Sequence, residues 1–422
     1  MISSDFGIDQ LPYDNDAFTV ETQLTDFIRV LETPKNDKES FVQFMDLYKL
    51  VPIETWCDSE LVFDIGNFIM RYRPDLISLG IRLNVQVNLF LRSIQKYALD
   101  PETIFQKVGH SIGAFALTEE DAGVLSGLIV DTTWSEKEGE YILNTQESQK
   151  NWISQGMMAS YAIVYARHTE DKNDIRVFMV DLSDEHILKT PIKTLPVNNT
   201  LDMAKLRFKN YKVPSEFMLE NSKKSTKLEL LNGIFYGRYM IAEATISAML
   251  GFIDHLKTNI YSSSSTLQKF TNLGHTQYLE KCRNNFNDYK SYLYTTRLEN
   301  LSGELTNINC YKIYAVEKSI EIFNKLQLMF GMRAAIYPLR FENLLLHKVA
   351  EGDTHVLRAS LINNHSRNST ITLLTQPGFS FKHIYYLYQC SDKREKFEYI
   401  MEHLKEISDN IVVSTIPTMI DM

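Results

Sequence analysis

The sequence predicts an α+β multidomain chain in three successive parts: an N-terminal helical domain, a central antiparallel β domain and a C-terminal helical bundle. Three observations predict it. Apolar residues recur at helix spacing up to about residue 110, β-branched and polar residues alternate from Ala114 to Leu219, and helical periodicity returns near Lys227. At 422 residues the chain is too long for one simple core. The expected boundaries are 1–112, 113–224 and 225–422, the last with a C-terminal extension.

In the first part, Phe27, Val30 and Leu31, then Phe41, Phe44, Met45 and Tyr48, fall on helix faces. Pro52, Pro74 and Pro101 divide the region into several elements. Ile81 to Leu91 alternates like a strand, but its helical surroundings favour a helix. In the second part, strands are expected at Leu128–Trp134, Ala162–Ala166, Val177–Val180 and Leu206–Phe208, spaced as in a small sandwich or barrel. In the third, Leu228–Leu256 carries an apolar face, and further helices are expected at 276–303, 305–330, about 350–366 and 392–407. Ser262 to Ser265 reads as a loop.

Composition narrows the function classes. The hydrophobic share of 44% and charged share of 23% are those of an ordinary globular protein. A net charge of -9 repels phosphate backbones, so nucleic acid is not an expected partner. Cys57, Cys282, Cys310 and Cys390 lie far apart, without metal-ligand spacing, and read as reduced thiols of a cytoplasmic protein. No run is apolar enough to span a bilayer, and no signal peptide or peroxisomal tripeptide is visible.

Three ordered segments carry a resemblance. The first is Phe115-Ala116-Leu117-Thr118-Glu119-Glu120-Asp121-Ala122-Gly123. The second is Lys150-Asn151-Trp152-Ile153-Ser154-Gln155-Gly156, followed by an apolar strand and by Phe208-Lys209-Asn210-Tyr211-Lys212-Val213-Pro214. The third is Ala350-Glu351-Gly352-Asp353-Thr354-His355-Val356-Leu357. Together, over about residues 110–365, they resemble the acyl-CoA dehydrogenase and acyl-CoA oxidase flavoproteins. The Glu-Gly-Asp form is closer to the oxidases.

The resemblance implies an acyl-CoA dehydrogenase-like fold, bound FAD, and α,β-desaturation of an acyl thioester carried on coenzyme A or on an acyl carrier protein, as in fatty acid metabolism. A carboxylate takes the α proton while the β hydride passes to the flavin, because no side chain accepts a hydride. Glu351 matches that base. Thr118, Trp152 and Ser154 match flavin contacts. Gln327 and Gly331 match residues that receive the adenosine end of FAD from a neighbouring subunit, so a homodimer or homotetramer is implied. Asp353 and His355 follow the base and would face the cofactor. Arg238 matches a Gly-Arg in the long helix, with an ion-pair or a substrate role. One departure stands out. Where the family has an Arg and then Phe-Gly for the FAD diphosphate, this chain has Ser262 to Thr271, with Lys269 and Phe270 but neither the Arg nor the Gly. A non-catalytic paralogue, or a flavin monooxygenase on the same fold, is the alternative reading.

Overall fold

The computed structural model describes residues 15–350, apart from 58, 121–130, 147, 172, 194–199, 225–233 and 300–304, and then 352–354, 357–358 and 361. Helices α1 (Asn15–Val30), α2 (Asp37–Tyr48), α3 (Ile53–Trp56) and α4 (Ser59–Tyr72) open the chain. The Asn36 side chain caps α2 by accepting from the Glu39 amide at 3.0 Å. After a 3-10 turn come α5 (Ile77–Leu83), a π-helical stretch (Asn84–Leu91), α6 (Arg92–Tyr97) and α7 (Pro101–Val108). Asp100 caps α7 and Pro101 fills its first position.

The π-helical stretch resolves the ambiguity of Ile81 to Leu91. All eight of its residues are buried, so apolar side chains are needed all round and no one-sided helical stripe is left to read. A period of two survived in the sequence without any strand behind it.

Among the described residues, the middle of the chain holds nine strands: β1 (Gly113–Ala116), β2 (Thr133–Lys137), β3 (Glu140–Asn144), β4 (Lys150–Ser154), β5 (Tyr161–His168), β6 (Ile175–Asp181), β7 (Ile187–Pro191), β8 (Met203–Phe208) and β9 (Tyr211–Val213). They form a six-stranded sheet around β5 and a three-stranded sheet β4-β8-β7. Most ladders are antiparallel as expected, but β1 and β2 both run parallel to β5. Alternation reports a half-buried strand and not the direction of its neighbour. The expected strand at 128–134 contributes only from Thr133, and the residues before 131 lie outside the described ones.

The last part consists of α8 (Phe235–Tyr261), α9 (Ser264–Asn272), α10 (His275–Glu299), α11 (Leu305–Phe330), a short α12 (Met332–Ala335) and α13 (Phe341–Val349). The helix expected at 305–330 is α11, and the one expected at 276–303 is α10, described as far as Glu299. The one expected near 350 is preceded by α13, and Thr354, Leu357, Arg358 and Leu361 are helical beyond it. The serine run is not a loop throughout. Ser263 caps α9 and Ser264 begins it. The expected helix at 392–407 lies outside the described residues.

The β unit is tied to the helices at Gly113. Its amide donates to Gln86 Oε1 at 2.8 Å and its carbonyl accepts from Gln155 Nε2 at 2.7 Å. A Cβ at this position would lie 2.1 Å from the Phe90 ring, so only glycine lets β1 approach the π-helical stretch. A fully buried ion pair, Arg82 with Asp202 at 2.9 Å, makes a second link.

Candidate active site

One wall is built by the β unit. Just past β1, Glu119 is buried with its carboxylate 2.6 Å from the buried Lys150 ammonium. Glu119 Oε1 also accepts from the amide and hydroxyl of Thr132, and Lys150 donates to the Tyr165 carbonyl at 2.8 Å. Burial pulls the Lys150 pKa down and Glu119 opposes it. With Glu119 facing inward, Thr118 is exposed, and its carbonyl accepts from the Asn151 amide at 3.0 Å. The ladder of β4 is irregular between Lys150 and Ile153. There Trp152 adopts φ +60° and is 58% exposed. Such a backbone costs a bulky residue about 1–2 kcal/mol, so packing of this large apolar side chain does not explain its placement. Ser154 is half-buried two residues further on.

The other wall is helical. In the first turn of α8, Arg238 donates to Asn309 Oδ1 at 2.6 Å. Gly352 has φ +98°, and a Cβ on it would meet Leu357 at 3.2 Å and Arg238 Nη2 at 3.4 Å. Lys312 of α11 is fully buried and donates to the carbonyls of Ala350 and Gly352, on either side of position 351. Beside it, His347 is held neutral, its pKa pushed down to about 3 by burial and then by Lys312. Thr245 Oγ1 donates to the Ile241 carbonyl at 2.6 Å, so at the 2.8 Å contact with His347 the proton sits on Nδ1 of the imidazole. Arg358 pairs with Glu317 of α11.

A small apolar cluster of Val85, Leu89 and Ile234 lies beside the main core and is joined to it by Ile81, Phe115 and Leu117, which pack against both. Leu117 precedes Thr118, and Ile234 lies one turn before Arg238. Among the described residues no group of His, Cys, Asp or Glu is placed to hold a metal ion.

Residues 114–211 match the family model of the acyl-CoA dehydrogenase middle domain. The three-part architecture is similar to that of butyryl-CoA dehydrogenase from Megasphaera elsdenii, with a TM-score of 0.70, 16% identity, and 85% of this chain and 100% of that chain covered. The chain has the acyl-CoA dehydrogenase fold. A prolyl acyl carrier protein oxidase is similar too, with a TM-score of 0.69 at 16% identity over 84% of this chain and 100% of that one. So is glutaryl-CoA dehydrogenase from Mycobacterium smegmatis, solved in complex with FADH2, with a TM-score of 0.61 at 18% identity over 84% and 95%.

Within this acyl-CoA dehydrogenase fold the sequence-predicted site residues fall into groups. Thr118, Trp152 and Ser154 share one wall. Asp353 belongs to the other, half-buried, with its carbonyl accepting from the Leu357 amide at 3.0 Å. Glu351 and His355 lie outside the described residues, although Ala350, Gly352 and Thr354 around them are described. Gln327 and Gly331 are not brought to either wall. They lie five turns along α11 from Asn309, roughly 27 Å at 1.5 Å per residue. There the Gly331 amide bonds the Gln327 carbonyl at 2.8 Å, and the neighbouring Phe330 packs on Phe270. Arg333 stands over that same Phe270 ring at 5.5 Å, a cation near the segment from which the expected Arg is missing. Sequence reasoning missed Glu119, Lys150 and Lys312 as site builders. A lone charged residue carries no signal of burial. No helix among the described residues is long and apolar enough to cross a membrane.

Proposed function

We propose that the chain oxidises an acyl thioester, on coenzyme A or an acyl carrier protein, to its α,β-unsaturated form, with FAD bound against Thr118, Trp152 and Ser154. The observation that carries this reading is the exposed Trp152 indole, held on a left-handed backbone beside an exposed Thr118 in an acyl-CoA dehydrogenase fold. A large exposed ring on strained backbone fits a planar cofactor that would cover it. FAD, when bound, supplies the hydride acceptor that no side chain provides.

Glu351 takes the α proton. Lys312 holds the backbone on both sides of it, and Arg238 lies against Gly352, so the loop is fixed before substrate arrives. The neutral His347 beneath adds no competing charge. Gln327 and Gly331 serve the site of a neighbouring copy, which makes the active unit a homodimer or a dimer of dimers. The exposed Leu328, Met332 and Ile336 beside them supply an apolar surface for that contact.

The chain on this reading purifies with a flavin absorption spectrum, bleaches with an acyl thioester under anaerobic conditions, and loses bleaching by about 100- to 10,000-fold in Glu351→Gln. Protein that stays colourless with added FAD would favour the non-catalytic reading, for which the missing arginine before Phe270 speaks.

A further inference from the structure

Two segments that pack together at the Gln327–Gly331 end of α11 hold no acidic residue. Residues 258–279 run from the end of α8 through α9 into α10, and residues 322–341 from the later turns of α11 through α12 to the start of α13. Neither contains an aspartate or a glutamate, and together they carry Lys269, His275, Lys325, Arg333 and Arg340. In a chain of net charge -9 this is a local reversal of sign. The acids on the flanks are engaged elsewhere. Glu280 pairs with Lys257 at 2.6 Å, Glu321 with Lys318 at 2.9 Å, and Asp254 with Arg71 and Arg283. Glu342 lies in the first turn of α13, where the helix dipole offsets its charge. A positive region that the rest of the chain does not neutralise favours an anion.

Aromatic rings hold the two segments together. Phe270 lies 5.1 Å from Phe330 and 5.6 Å from His275, and His275 lies 5.7 Å from Phe330. Arg333 stands over the Phe270 ring at 5.5 Å, and Lys325 over Tyr278 at 4.0 Å. Arg340 spends its donors on the Ala335 and Tyr337 carbonyls. Arg333 does not: it is exposed, and among the described residues no hydrogen bond or ion pair engages its side chain. Half-buried His275 also keeps Nδ1 without a partner. Beside them Gly331 has φ +54° and nothing within 4 Å of the place a Cβ would take, so the surface in front of the rings is open.

We infer that Arg333, laid on Phe270, binds the diphosphate of the FAD held by a neighbouring copy, in place of the arginine missing from the Ser262–Thr271 segment. This rests on the proposed function. The cofactor is the neighbour's because Gln327 and Gly331, which directly precede Arg333, are remote from the wall that carries Thr118 and Trp152 in the same chain. The residues present fit the group. A guanidinium presents a planar fork of N–H donors that matches phosphate oxygens in pairs, and the ring beneath it fixes its plane. Lys269, one position before Phe270, offers only a point charge on a flexible stem. The cation is thus supplied from α12, although the sequence segment expected to carry it lies in α9.

The test titrates the flavin-free full chain with FAD and with FMN, which has the same ring but no diphosphate. Wild type is compared with Arg333→Met, Arg333→Lys and Lys269→Met by flavin fluorescence and calorimetry, so no turnover is needed. FAD affinity falls about 10- to 100-fold in Arg333→Met, the loss expected for one charge-assisted contact, and Arg333→Lys recovers part of it. Lys269→Met changes FAD affinity by less than about 3-fold, and FMN binds all four proteins alike. Because Arg333 is exposed, flavin-free Arg333→Met keeps the thermal midpoint of wild type. FAD affinity in Arg333→Met within about 3-fold of wild type overturns the inference, as does a loss as large in Lys269→Met or an equal fall for FMN. Wild type that holds FMN as tightly as FAD overturns it too, and leaves the flavin-binding wall standing. Wild type that takes up neither flavin overturns the proposed function and this inference with it.

Discussion

Replacing Lys312 with methionine keeps the length and most of the apolar stem of the side chain but removes every donor it gives to the 350–352 loop. Lys312 is fully buried and donates to the carbonyls of Ala350 and Gly352. Each hydrogen bond to a charged group contributes about 1.5–3 kcal/mol, and each buried carbonyl left without a donor costs about 1–3 kcal/mol. Against this, the variant no longer carries a desolvated ammonium, a saving of several kcal/mol. The balance is a local destabilisation on the order of 2–4 kcal/mol, confined to the turn after α13. Hydrogen exchange over residues 341–358 then speeds up by roughly 30- to 1,000-fold, since each 1.4 kcal/mol is a factor of ten. Exchange in the β unit stays as it was. Unchanged exchange in this segment would refute the idea that Lys312 fixes the loop.

Trp152→Asn relieves the left-handed strain at φ +60° and should raise the stability of flavin-free protein by up to about 1 kcal/mol in urea unfolding, while flavin titration shows weakened retention. Gly251→Ala places a carbon 2.0 Å from the Arg71 carbonyl oxygen and 2.5 Å from the Tyr337 hydroxyl, breaking the 2.6 Å bond between them. A loss of about 3 kcal/mol or more is expected from the urea midpoint. Asp64 has its pKa raised to about 7, by burial and then by Glu21 and Glu60. Its folded pKa lies above the ordinary 3.8, so the folded state holds the proton more tightly and stability falls as pH rises from about 4 to about 7. Asp64→Asn therefore gains on the order of 2–4 kcal/mol at pH 8 and almost nothing below pH 4, measured as unfolding midpoints across that range.

Periodicity made the long elements readable. The expected helix at 305–330 is α11 itself, and Ala162–Ala166, Val177–Val180 and Leu206–Phe208 all fall within observed strands, because one-sided burial leaves a pattern of 3.6 or 2 in the sequence. Where burial is on every side the pattern vanishes, as in the Asn84–Leu91 stretch. Strand direction was not readable either, since β1 and β5 alternate alike whether parallel or not. Ordered local motifs pointed to Thr118 and Trp152, and the structure sets their segments side by side, the Thr118 carbonyl accepting from the Asn151 amide. The buried charges around them carried no such signal. Glu119, Lys150 and Lys312 look in sequence like any surface charge, and only the packing around them shows that each is enclosed.

The wide helical turn at Asn84–Leu91 carries a consequence for how this chain can vary. A π-helix bonds residues five apart, so it accommodates one residue more per turn than its α-helical flanks. Deleting a single residue there would let the segment relax to ordinary winding. Because the wide turn already absorbs that residue, the flanking helices α5 and α6 would keep their facing, and Leu89 would stay near Ile234. The same deletion in the regular winding of α8 would turn everything beyond it by about 100° around the axis. The Asn84–Leu91 stretch is therefore the place in the helical part where the chain can shorten by one residue and keep its packing.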